Sequence, residues 1–123
     1  MRIAAVAALL GAAAGLLVFL ERFSFGSRSP VREALLDLGH VPLFGLLAVV
    51  VLWLVRLSTG RRIGAPIQYT LAWAAAVGIG ALSEYMQIAT PRDADPVDWL
   101  YDIIGATTFL AFHFTLDPRL SAR

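Results

Sequence analysis

The chain has 123 residues, of which 59% are hydrophobic and only 15% charged, and it carries a formal net charge of +1. An ordinary soluble domain has about a quarter of its residues charged, so a mean hydropathy of +0.73 sets this chain apart and points to a lipid setting. Cysteine is absent, which excludes disulfides and thiolate chemistry. The basic residues form no extended patch, so nucleic acid is not an expected partner.

A membrane helix needs roughly 20 mostly apolar residues, and four segments meet that length. The first, Ile3–Leu20, contains no charge. Arg2 followed by an apolar run also mimics a signal peptide. The run outlasts the usual 7–15-residue apolar core, however, and Glu21 closes it without a small-residue cleavage site, so an uncleaved helix is expected. Gly11 and Gly15 make a small-residue face suited to close helix packing, within the chain or between two copies of it.

After a loop carrying Phe23 and Phe25, Ser29–Pro30 is a helix start, because proline at the first helical position loses no needed donor. The helix from Pro30 runs through VREALLDLGH into the second segment, Leu38–Val55, in which His40 is the only titratable group. Arg56 to Gly64 reads as a tight basic turn around Gly60. The third segment, Ala65–Ser83, is uncharged, and the pairs Ala74/Gly78 and Ala76/Gly80 give it small faces. Pro91 closes that region. Asp95–Pro96 opens the fourth segment, Val97–Leu116, with Asp95 as N-cap and Asp98 at the third helical position. Trp53, Trp73 and Trp99 read as packing or interface anchors, and His113 as a lone interfacial histidine.

The fold class expected is therefore all-α integral membrane: one domain over 1–123, four transmembrane helices in a compact bundle. Orientation follows from the arginines, since short cytoplasmic flanks are enriched in basic residues. Arg2, Arg56, Arg61, Arg62, Arg119 and Arg123 share one side against a single acid, Asp117. The opposite side holds seven acids against four arginines. Both termini are thus expected in the cytoplasm of a bacterial inner membrane, with the acidic side facing out.

The outer side is where polar groups converge. Asp37 and His40 stand three apart, as do Glu84 and Gln87, so each pair shares a helix face. Arg92 sits in the following loop. Asp95 and Asp98 can be explained as helix caps that satisfy backbone N–H groups and the helix dipole. Asp102 lies one turn deeper, where an isolated acid costs up to roughly 3 kcal/mol, so it needs a partner or water.

These residues resemble the VanZ-like family of small bacterial membrane proteins. The resemblance rests on Asp37-Leu-Gly-His40 with Phe44, on Glu84-x-x-Gln87, on Pro91-Arg92, and on Asp98, Asp102 and Gly105 at the family's spacing. It covers the chain from Asp37 to Gly105. Two departures stand out: the family's Asp-Lys pair ahead of the histidine is not reproduced, and Asp102 stands where the family usually has Asn. The resemblance implies a cell-envelope setting and a link with resistance to glycopeptide antibiotics of the teicoplanin type.

Three functions fit the outer residues. Asp37, His40, Glu84, Gln87, Arg92, Asp98 and Asp102 could bind the head group of a membrane lipid or a lipid-linked envelope precursor. They could instead form an enzyme acting on a phosphate-bearing lipid, with His40 as general acid or base oriented by Asp37 or Glu84 and Arg92 on the phosphate. A divalent cation, Mg²⁺ or Ca²⁺, could sit among Glu84, Asp98 and Asp102, whose oxygens suit both ions. The third reading is a polar lock, with Arg92 paired to Glu84 or Asp98 and His40 bonded to Asp102, or a surface for a partner protein. No zinc motif is present, since His40 and His113 belong near opposite surfaces. Ser83 adjoins Glu84 but points to a different face.

Overall fold

A computed structural model describes residues 29–89 and 95–120, together with the helical positions 4, 5, 7, 8, 10, 11, 14 and 15. Three long helices carry the described fold: α1 (Pro30–Thr59), α2 (Ala65–Ile88) and α3 (Pro96–Leu116). All regular structure among the described residues is helical. Two helices are long and apolar enough to cross a membrane by length and composition, Glu33–Thr59 within α1 and Ala65–Ile88, and this is compatible with a membrane protein. Helix α3 has 21 residues, but Asp98, Asp102 and His113 lower its apolar character, and it is not one of the two. The expected fourth helix, Ile3–Leu20, lies largely outside the described residues.

The local chemistry explains the helix ends. Proline occupies the first position of α1 and of α3, where a missing N–H costs nothing. Asp95 caps α3, its side chain accepting from the Val97 N–H at 2.9 Å. At the far end of α1, Gly60 adopts φ +58°, the left-handed conformation that glycine enters without a Cβ clash, and its N–H bonds back to the Arg56 carbonyl. Pro42 lies inside α1; lacking an N–H, it leaves the Leu38 carbonyl without its helical donor.

Short links make α2 antiparallel to both neighbours, and α1 packs most extensively against α3. The core that joins all three helices is Ala48, Leu52, Tyr69, Ala72, Ala76, Ala106 and Leu110. Four alanines in that set let backbones come close, and two glycines tighten the α1–α3 contact further. A Cβ built on Gly105 would strike the Val41 carbonyl, and one on Gly45 would strike the Phe109 ring. Of the small faces read on α2, Ala76 and Gly80 are buried, whereas Ala74 and Gly78 are exposed. Gly11 and Gly15 are exposed as well, with nothing within 4 Å of an added Cβ.

Candidate functional site

Antiparallel connection places the start of α1, the end of α2 and the start of α3 at one end of the bundle. The Gly105–Val41 approach holds α3 against α1, so Asp102, one turn before Gly105, arrives beside His40. The imidazole Nδ1 lies 2.8 Å from Asp102 Oδ1. An ionised carboxylate can only accept, so Nδ1–H donates and the Asp102 charge fixes the ring. Side-chain exposure is 1% for Asp102 and 23% for His40: the acid is sealed in and the imidazole reaches toward the surface. Phe44, one turn on, stacks on His40 with ring centres 6.1 Å apart and planes within 4°.

The third wall is Gly80 of α2. A Cβ there would lie 2.7 Å from Asp102 Oδ2, so the carboxylate sits against bare backbone that any other residue would obstruct. Three helices thus meet at a single buried acid. Glu84, one turn along α2, and Asp98 act electrostatically on His40 together with Asp102. Asp37 acts electrostatically on Asp98. The Glu84 Oε2 is buried with no hydrogen-bond partner.

Beside Glu84 runs an open groove of about 420 Å³, lined by Ala81, Glu84, Tyr85, Ile88, Pro96 and Trp99. Its walls are almost wholly apolar. Trp99 is anchored across it by an N–H bond to the Val77 carbonyl at 3.2 Å.

Asp98, Asp102 and Glu84 thus lie near His40, and Asp37 acts on Asp98. Gln87 lies on the same end of α2 and is partly buried. Arg92 lies outside the described residues. The partner that orients His40 is Asp102 and not Asp37 or Glu84, because the backbone contact at Gly105 brings α3 nearest to that ring. Among the described residues, no three His, Asp or Glu side chains form a group that could hold a metal ion, and Glu84, Asp98 and Asp102 are no exception.

A second polar cluster, at the opposite end, was not anticipated. The buried Asp117 accepts from the Arg56 guanidinium, from the Tyr69 hydroxyl at 3.1 Å and from the Arg119 N–H at 3.1 Å. Tyr69 also contacts His113 Nδ1 at 2.7 Å. With the hydroxyl proton given to Asp117, His113 must be the donor in that bond, so His113 is a member of a chain and not a lone histidine. The Arg56 guanidinium also lies 5.3 Å from the Tyr69 ring centre. Buried Gln68 closes the turn, donating to Thr59 Oγ1 and to the Gly60 carbonyl. Burial alone would raise the Asp117 carboxyl, but the Arg119 N–H, Arg56 and Tyr69 outweigh it and hold the group below the usual carboxylate range. The available signal was Asp117 itself, the only acid on a side rich in arginine.

The chain matches no protein family, no curated protein and no solved structure with which it was compared.

Proposed function

We propose that this chain is a multi-pass protein of the bacterial inner membrane whose His40 end binds the polar head group of a lipid or lipid-linked envelope precursor. One observation carries the reading: a sealed Asp102 orients a partly exposed His40 beside an apolar groove into which Glu84 contributes. An apolar pocket with a few convergent polar groups is the common form of a small-molecule site.

The membrane setting is supported by what the helices leave outside. Only 33% and 28% of the two long apolar windows are buried, whereas a soluble core helix would be mostly covered. Leu46, Trp53, Leu57, Ile67, Leu71 and Phe112 all face outward, as lipid-facing side chains do. The proposal includes a fourth helix near the N-terminus, both termini in the cytoplasm, and membership of the VanZ-like family with its link to glycopeptide resistance. Arg92 is assigned to the head-group phosphate on the sequence pattern.

A second reading, a membrane enzyme acting on a phosphate-bearing lipid, is favoured by the Asp102-fixed imidazole, which is the geometry of a general base. Head-group retention by the purified full-length chain, read by native mass spectrometry, tests the binding reading. His40→Gln is expected to lose retained lipid while melting as the wild type does; unchanged retention would refute the assignment. Reporter fusions at Arg61 are expected to read cytoplasmic and fusions near Ser27 external, and the reverse would turn the site inward.

A further inference from the structure

The groove beside Glu84 is more specific than a generic head-group site. Its floor and walls are Ala81, Tyr85, Ile88, Pro96 and Trp99, side chains that suit an acyl chain. Among the described residues, Glu84 is the one charged residue in the lining. Its Oε2, although shielded from solvent, has no hydrogen-bond partner. Neither ion pair among the described residues involves Glu84. A shielded carboxylate oxygen without a donor is unfavourable, so the site favours a ligand that donates. Asp98 and Asp102 act on the Glu84 carboxylate and add negative potential, which disfavours an anion and favours a cation. Beyond the groove, Tyr85 and Ile88 are 72% and 69% exposed, so the apolar wall continues onto the outer surface of α2, where a lipid tail would lie.

We propose that this groove seats a lipid whose head group carries an ammonium, with the ammonium donating to Glu84 and one acyl chain lying along Tyr85, Ile88 and Trp99. The ligand class is thus an aminophospholipid, not an acidic one. The inference rests on the head-group reading above and narrows it: Glu84 chooses the ammonium, while His40, oriented by Asp102, meets the remainder of the head group.

The test uses the full chain in nanodiscs of equal parts phosphatidylethanolamine and phosphatidylglycerol, with lipid retained on release into the gas phase as the readout. Phosphatidylethanolamine is expected to be retained in preference. N-acetylated phosphatidylethanolamine, which keeps the phosphate and loses the ammonium, is expected to be retained about tenfold less, as a lost charge-assisted hydrogen bond requires. Glu84→Gln is expected to abolish the preference, and Ala81→Trp, which fills the groove, to lower retention of both lipids. Equal retention of the amine and its N-acetyl form by the wild type overturns the inference without depending on any variant. If that unselective retention still falls in His40→Gln, the head-group reading survives and only the ammonium assignment is lost. If it does not fall, both are lost.

Discussion

The two ends of the bundle are built from the same parts and finished differently. Each has three helices meeting at one buried aspartate with one histidine nearby. At the Arg56 end, Asp117 receives an arginine, a tyrosine hydroxyl and a backbone N–H, and Gln68 seals the adjoining turn. One donor, Arg56 Nε, is left over, but the charge it belongs to is matched. At the His40 end, Asp102 has its histidine, while Asp98 and Glu84 also act on that imidazole and no ion pair among the described residues joins them to an arginine. A fully satisfied polar network rigidifies, and a partly satisfied one is costly unless something else completes it. The Arg56 end is accordingly a lock. On the proposed reading, the His40 end is a site that a ligand completes.

The largest effect should come from breaking the lock. Asp117→Ala leaves Arg56 without its counter-charge, and losing one partner of a buried pair costs about 3–5 kcal/mol; the rim position favours the lower figure. Denaturant unfolding should show that loss, with head-group retention unchanged in the protein that remains folded. Gly105→Ala comes next. Its Cβ meets the Val41 backbone, which cannot turn aside, and overpacking of this kind costs about 1–3 kcal/mol. Because this contact also sets Asp102 beside His40, stability and lipid retention should fall together.

Acid should weaken one end in a defined direction. The Asp117 carboxyl lies below the usual carboxylate range when folded, so its contribution is present above that range and disappears as pH falls through the lowered value. Melting profiles between neutral and strongly acid pH should show a loss below the ordinary carboxylate range, and Asp117→Asn should remove that component. Tyr69→Phe is the mildest break, deleting a hydroxyl from the chain between His113 and Asp117. A loss of about 1 kcal/mol is expected, visible as a small drop in the denaturant midpoint.

Much of this was legible in the residues because the signals were local. Pro30, Gly60 and the Asp95–Pro96 cap fix helix ends within a few positions of themselves, and the three-residue spacing of Asp37/His40 and Glu84/Gln87 fixes their faces. Asp102 was recognisable as an acid in need of a partner, and His40 as one candidate for it. What could not be read was which small residue meets what. Ala74/Gly78 and Ala76/Gly80 have the same spacing, and only packing reveals that Gly80 is the seat of Asp102 while Gly78 faces outward. The Arg56–Asp117 lock joins residues 61 apart in sequence, and Tyr69 joins Asp117 across 48; no periodicity encodes such pairings. A divalent cation, one option raised for Glu84, Asp98 and Asp102, requires convergence at one point, which shared level along the bundle does not guarantee. Arg92 lies outside the described residues.

Asp102→Asn tests the contrast between the two ends most directly. Asparagine keeps an oxygen to accept the His40 Nδ1–H and removes only the charge. A site predicts that the variant melts close to the wild type and loses retained head group. A lock predicts the opposite: a fall in stability approaching that of Asp117→Ala with lipid retention intact, and that result would contradict the account.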